Sequence, residues 1–442
     1  MNKKLADFNK KLQQSKITII GLGVSNLPLL DYLHDLSCDV TIFSDIKIDP
    51  SLNKYNYQMY DDGLDKLVGF DIIFRSPGCL PSRKEIQAEL DRGAYVTTEA
   101  AEVLKLTTAK TIAITGSDGK TTTTTLIDLV LRSSGYKTFL GGNIGTPLFT
   151  KIKDMQSTDY VVLELSSFQL MDMDVSPDIA VITNITPNHL DKHKDMEEYI
   201  ESKCNIFKYP GRVLVLNDDN EITKNLKSNR TIRYFSRSHK TNAFYIKDNA
   251  IYKDDSLILK QSDIKLRGIH NLENICTVLS ATYDLIDMDK AIDAIKDFNG
   301  VEHRLEFVRE INDVKWYNDS VSSSPTRTIA GLNSYDEPIV LIAGGYDKNL
   351  DYTPIAKPIV NNVSKLILFG ATKNKIYDAV IKENKDLPIY VLDTLEEVVN
   401  KAKEVAKKGE VVLFSPASAS FDMFKNFADR GNQFKELVQK LK

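Results

Sequence analysis

The 442-residue sequence predicts an α/β fold of three successive domains built on parallel sheets. Three observations carry this expectation. The length exceeds what a single core usually organises. Short β-branched runs recur, each closing on a glycine or polar turn that leads into a helical pattern, as in Ile17 to Ile20 before Gly21-Leu22-Gly23 and Thr111 to Thr115 before Gly116. Several of these runs are apolar throughout rather than alternating, as strands covered on both faces are.

Composition narrows the function. A hydrophobic content of 42% with 27% charged residues is ordinary for a globular protein, and a formal net charge of −4 offers no footprint for nucleic acid or an anionic membrane. Small-molecule partners are favoured. Cys38, Cys79, Cys204 and Cys276 are scattered with no CxxC, which argues against a zinc site or a disulfide framework and for reduced thiols. The basic N-terminus lacks the apolar stretch of a signal peptide, and no run is long and apolar enough to span a bilayer. A soluble cytoplasmic protein is expected, without membrane insertion.

The first domain is expected over residues 1–98. Ile17 to Ile20, the turn Gly21-Leu22-Gly23-Val24-Ser25-Asn26 and a following helix open a Rossmann-like unit, although Asn26 stands where a third glycine belongs. The next strand, Val40 to Phe43, runs into Ser44-Asp45, where an acidic residue can meet a ribose or a base edge. Further strands at Asp71 to Phe74, closing on Ser76-Pro77-Gly78, and near Ala94 to Thr97 complete the unit. Glycines that serve only close strand-helix packing are the bland alternative.

The second domain, 99–301, opens on Thr111 to Thr125, TIAITGSDGKTTTTT. This reads as strand, glycine turn and helix. Gly116 and Gly119 let the backbone close around a polyphosphate, the N–H groups of Ser117 and Asp118 and the helix start face an anion, Lys120 brings a mobile positive charge, and Thr121 or Thr122 can ligate Mg²⁺. The spacing is the shorter GxxGK[ST], departing from the full P-loop pattern in having Ile114 where its first glycine belongs; a P-loop-type ATPase domain with an ATP phosphate cradle is expected, with a bland strand-turn-helix as the alternative. Gly141-Gly142-Asn143-Ile144-Gly145 reads as another glycine turn that brings backbone near a ligand. The buried strand Tyr160 to Leu163 delivers Glu164 to its C-terminal end, where open α/β sheets bind ligands and a carboxylate can hold Mg²⁺. A second buried strand, Ile179 to Thr183, leads to His189 at the same sheet edge. By exposure statistics Lys203, in the helical stretch Met196 to Phe207, is a solvated lysine, and Asn271 is a helix cap or a nucleotide contact. Residues from about 211 to 265 alternate short strands with polar turns.

A third, Rossmann-like domain over 302–442 begins at Glu302-His303-Arg304. Trp316 to Ser320 ends a strand, Ser322-Ser323-Ser324-Pro325 caps the next helix, and strands at Ile339 to Ala343, Lys365 to Phe369, Ile389 to Leu392 and Val411 to Ser415 alternate with helices. Their ends carry Gly344-Gly345-Tyr346-Asp347-Lys348 and the run Ser415 to Lys425. Polar groups at the strand ends of all three domains lead to the expectation of an active site assembled between domains.

These motifs resemble the Mur ligases, ATP-dependent amide-bond ligases of peptidoglycan precursor synthesis, over essentially the whole chain. TGSDGKTT is similar to the family's ATP loop, HNLEN to its nucleotide-side helix, and Glu302-His303-Arg304 to its domain-junction motif. LELSSFQL, GGNIG, Asn318-Asp319-Ser320 and SPASASFDMFKNF are similar to the member that joins D-glutamate to UDP-N-acetylmuramoyl-L-alanine. Asp118, Asn188 and Val321 depart from residues common in the family. The resemblance implies those two substrates, ATP and two Mg²⁺ ions, and a monomeric enzyme. It implies catalytic roles for Lys120, His189, Lys203 and Arg304, with ATP held by Gly116 to Thr122, Asn271, Arg304 and Asp319. Metal would be held by Thr121, Glu164, His189 and a carbamylated Lys203; the UDP substrate by Ser25, Asp45, Ser76, Pro77, Gly78 and Asn143; and D-glutamate by Ser323, Lys348, Ser420, Phe421 and Phe427. A folylpolyglutamate synthase lacks the leading UDP-type domain, and a nicotinamide oxidoreductase leaves Lys120, Glu164 and His189 unexplained.

Overall fold

The computed structural model describes all residues except 1, 24, 45–57, 61, 62, 191, 267, 349 and 442, and the side chains of 58–60. The first sheet is parallel and contains β1 (Ile17–Ile20), β2 (Val40–Phe43), β3 (Gln58–Tyr60), β4 (Ile72–Arg75) and β5 (Tyr95–Thr97), in the order β3-β2-β1-β4-β5. Strand order reverses between β1 and β4, so the crevice at their C-terminal ends is where such sheets take ligands. Gly21 follows β1 there with φ +80°, and a Cβ on it would lie 2.5 Å from Ser76 Oγ, so only glycine fits against the turn after β4. Asn26, at the place of the missing third glycine, donates from Nδ2 to Gly21 O at 2.8 Å and pins the turn with a side chain instead.

The second sheet is also parallel: β6 (Lys110–Thr115), β7 (Thr138–Gly142), β8 (Tyr160–Glu164), β9 (Ile179–Ile182), β10 (Val213–Asn217) and β11 (Thr231–Phe235), ordered β11-β10-β9-β6-β8-β7. Two of the short strands expected in residues 211–265, β10 and β11, therefore extend this sheet. Another three, β12 (Tyr245–Lys247), β13 (Ala250–Lys253) and β14 (Ser256–Lys260), form a small antiparallel sheet. The expected glycine turn at 141–145 is corrected in part. Gly141 and Gly142 finish β7, paired with Leu163 and Glu164, and a Cβ on Gly142 would come within 2.2 Å of Glu164 O.

These two sheets share one core. Glu99, at the start of the helix Glu99–Leu106, accepts the backbone N–H groups of Leu148 and Phe149 at 2.7 and 2.8 Å. Phe149 is thereby placed among Phe8, Tyr32 and Phe74 of the first sheet's layer, with ring centroids 6.4, 5.1 and 6.3 Å away. Residues 1–263 and 269–296 accordingly form one compact unit, and residues 264–268 and 297–442 form another. Phe149→Ala should lower the stability of the first unit by about 3–5 kcal/mol, because a fully buried ring is lost and its contacts with Phe8, Tyr32 and Phe74 go with it. A denaturant midpoint within error of wild type would contradict this.

The second unit holds β15 (Glu306–Ile311), β16 (Val314–Asn318), β17 (Ile339–Gly344), β18 (Val363–Phe369), β19 (Ile389–Val391) and β20 (Val411–Phe414), ordered β15-β16-β20-β17-β18-β19. Only the β15–β16 hairpin is antiparallel. Uniformly buried strands divide their side chains between two cores, one around Leu341, Leu366 and Leu413 and one around Trp316, Ile367, Phe414 and Phe434. The helix Pro325–Leu332 starts as expected with proline in its first turn, but Ser324 at its N-cap makes no side-chain capping bond. Among the described residues no helix is long and apolar enough to cross a membrane.

Candidate active site

In the first unit the loop after β6 leads into the helix Lys120–Ser133 at the C-terminal edge of the sheet, between the ends of β8 and β9. Both loop glycines are required by geometry. Gly116 has φ +150° and a Cβ on it would strike Thr183 Oγ1 at 1.9 Å; Gly119 is the N-cap with φ +78°, and its Cβ would meet Asn274 Oδ1 at 2.4 Å. Asn274 also donates to Asn271 Oδ1 at 3.3 Å, so the HNLEN helix start packs directly on the loop. The segment after β9 takes the Ser117 and Asp118 N–H groups that were expected to face an anion, which leaves that role to the helix start; Asn184 O accepts the Ser117 N–H at 2.9 Å. Asn184 Oδ1 accepts the Asp118 N–H at 2.9 Å, Thr183 Oγ1 donates to Asp118 O at 2.6 Å, and Ser117 Oγ lies 3.0 Å from Tyr199 OH. The sequence reading missed Thr183, Asn184 and Tyr199; position at the end of a buried strand is the signal that could have found the first two.

Two lysines converge on this loop. Lys120 Nζ donates to Gly116 O and Ser117 O, both at 2.9 Å. Lys203, expected on exposure statistics to be solvated, is 2% exposed, and its Nζ donates to Gly116 O at 2.8 Å. Burial, helped by the charge of Lys120, pushes the Lys203 amine down to about 7. Tyr199 places its ring 4.6 Å from the same nitrogen.

Glu164 is 1% exposed at the end of β8. Its Oε1 accepts from Asn143 Nδ2 at 2.8 Å, while Oε2 is buried without a hydrogen-bond partner. An orphaned carboxylate oxygen beside a phosphate-type loop fits a hard divalent cation. Among the described residues no group of three or more His, Cys, Asp and Glu is gathered to hold a metal. A cation there would therefore draw on donors outside that set, such as Thr121 Oγ1. His189 is exposed, adopts the left-handed φ of 55°, and sets its ring edgewise to Phe168 at 5.4 Å. Ser25, Ser76, Pro77 and Gly78 lie at the β1 and β4 ends. Asp45 lies outside the described residues.

The second unit gathers its own set at the ends of β16, β17 and β20. Asp319 was expected on the nucleotide, but it is 2% exposed and engaged internally: Oδ2 accepts from Ser415 Oγ at 2.7 Å and Oδ1 from the Leu305 N–H at 3.2 Å. Burial lifts its carboxyl to about 6. It thus fixes the backbone beside Arg304. Ser323 follows β16, Lys348 follows β17 with its Nζ 5.6 Å from the Phe421 ring, and Ser420 and Phe421 follow β20. Phe427 begins the last helix with its ring 6.0 Å from His303. Arg430, which the sequence did not single out, is wholly buried and donates to Ser418 O, Ala419 O, Ser320 Oγ and Ser320 O at 2.8–3.0 Å, tying the loops after β16 and β20 together.

Residues 114–282 match the Mur ligase middle domain, and residues 303–418 match the Mur ligase glutamate ligase domain. The UDP-N-acetylmuramoylalanine–D-glutamate ligase of Clostridium tetani is 45% identical over 459 residues, covering 100% of both chains. The chain belongs to the Mur ligase family. The enzyme of the same name from Clostridium acetobutylicum is 47% identical to this Mur ligase, again over 100% of both chains. The fold is similar to the UDP-N-acetylmuramate-alanine ligase MurC of Thermotoga maritima, with a TM-score of 0.62, 19% identity and coverage of 97% of this chain and 100% of that one. It is also similar to the MurF ligase of Thermotoga maritima solved with ADP, with a TM-score of 0.56, 18% identity and coverage of 98% and 97%.

Proposed function

We propose that this Mur ligase is a monomeric cytoplasmic enzyme that joins D-glutamate to UDP-N-acetylmuramoyl-L-alanine with conversion of ATP to ADP and phosphate. The observation that carries the reading is the convergence of Lys120, buried Lys203 and the half-partnered carboxylate of Glu164 around one glycine loop. The names of the full-length relatives supply the substrates. We divide the labour as 1–98 for the UDP substrate, 99–301 for ATP and 302–442 for the amino acid.

A free carboxylate is a poor electrophile with no leaving group. Bound ATP supplies the phosphoryl group that turns the L-alanyl carboxylate into an acyl phosphate, which the D-glutamate amine attacks with release of phosphate. The protein's share is positioning and charge neutralisation. Lys120 and the N–H groups of residues 119–122 at the helix start hold the phosphates, with Asn271 on the nucleotide. Thr121 and Glu164 would hold one Mg²⁺, and His189 and carbamylated Lys203 a second. Arg304 neutralises the transferring phosphoryl group, and Asp319 acts by holding the backbone next to it. Ser25, Asp45, Ser76 to Gly78 and Asn143 receive the UDP substrate, and Ser323, Lys348, Ser420, Phe421 and Phe427 receive D-glutamate.

Purified protein given ATP, Mg²⁺, UDP-N-acetylmuramoyl-L-alanine and a panel of amino acids should release phosphate and gain product mass with D-glutamate. Turnover with another amino acid alone would overturn the assignment. Within the same assay, Lys348→Ala should mainly raise the KM for D-glutamate by roughly 10- to 100-fold, the equivalent of one charge-assisted contact. If only the ATP parameters move, Lys348 belongs to the nucleotide instead.

A further inference from the structure

We infer that Arg75 is a positioning residue for the ligation, holding the Ser76–Gly78 turn in register with the segment that follows the Glu164 strand. The inference rests on the assignment of that turn to the UDP substrate. Arg75 ends β4, and its side chain has no exposed surface. Its Nε donates to Asp172 Oδ2 at 2.7 Å, and Nη2 bonds Asp172 Oδ1 as well as Phe168 O, the latter at 3.0 Å. Nη1 turns the other way, to Cys79 O at 3.2 Å and Ser76 O at 3.4 Å.

All the guanidinium donors are thus divided between two structures. One is the turn at the ligand edge of the first sheet. The other is the short helix Ser167–Leu170, just beyond Glu164, together with Asp172. The second side leads directly to the candidate catalytic segment. Phe168 stacks on His193 with centroids 4.9 Å apart and meets His189 at 5.4 Å, while Ser167 Oγ lies 2.9 Å from His193 Nε2. Partnering the Asp172 carboxylate would need only one edge of the fork. The remaining donors fix carbonyls on both sides, which a planar guanidinium does and a lysine ammonium does not.

Displacing one substrate by about 1 Å from a remote site costs on the order of 10²-fold in rate. In Arg75→Lys and in Asp172→Asn, kcat/KM for UDP-N-acetylmuramoyl-L-alanine should therefore fall by roughly 10-fold or more. ADP binding, measured by calorimetry, should stay within about 2-fold of wild type, because the loop at Lys120 is held by other residues. Melting temperature is measured alongside, and Asp172→Asn serves if Arg75→Lys does not fold. Wild-type kinetics in a variant whose melting temperature alone drops would reduce Arg75 to a structural brace and overturn the inference. An equal loss of ADP binding would overturn it too, by locating the lesion in the phosphate loop. Wild-type protein that fails to ligate D-glutamate overturns the proposed function and this inference together.

Discussion

Lys120→Ala should turn over roughly 10³-fold or more slowly than wild type, the scale on which a positioned charge-stabilising group is lost from a transition state. Lys120 is the first residue of its helix, directly after a glycine N-cap in the left-handed region, so its ammonium stands beside a helix start whose first-turn N–H groups favour an anion. The bonds it makes to Gly116 O and Ser117 O keep the ammonium over the loop rather than in solvent. The helix behind it is anchored by buried Leu126, Ile127, Val130 and Leu131, so truncation of a half-buried first-turn lysine leaves the fold in place. Steady-state kinetics on variant protein with a wild-type melting curve reads the effect. Near-normal turnover in that folded variant would remove Lys120 from the phosphates.

Lys203→Ala should be nearly inactive and partly restored by millimolar short-chain carboxylates. The proposed form of Lys203 is a carbamate, made when the neutral amine adds CO₂, forms an N–C bond and releases a proton. Ordinary lysine holds its proton to about pH 10.4 and is a poor acceptor of CO₂ at neutrality. Here burial and the charge of Lys120 bring the amine down to about 7, so the reactive form is well populated at neutral pH. The same shift has a stability signature in unmodified protein. Between about pH 7 and 10.4 the unfolded chain keeps this proton and the folded chain does not, so this group's contribution to stability rises with pH across that window and is flat below it. If Lys203 is the carbamate, removal of the side chain would delete the anion facing the cation, and a small carboxylate diffusing into the vacated space would replace it. Full activity in Lys203→Ala would refute a required carbamate. Density for an unmodified amine in the fully liganded wild-type enzyme would demand another role.

Much of this was legible in the sequence because it is local. Strands at Ile17–Ile20, Tyr160–Glu164 and Val411–Phe414 lie where apolar runs place them, since a strand buried on both faces has no polar alternative. The loop at 116–120 was readable because left-handed glycines and a helix start impose a sequence pattern over a few residues. Family membership followed from such motifs taken together. What tertiary structure alone decided is the environment of each side chain. Lys203 looks like any helical surface lysine until the loop after β6 closes over it and changes its acidity. Asp319 looks like a ligand-facing carboxylate until Ser415 and Leu305, far from it in sequence, take its oxygens. Arg75 and Arg430 carry no local signal, because Phe168 O and Asp172 on one, and Ser320 and Ala419 O on the other, are brought to them only by folding. Backbone preference is set over a few neighbouring residues, whereas burial, hydrogen-bond partners and pKa are set by whatever the chain returns to the same place, and no short stretch of sequence encodes that.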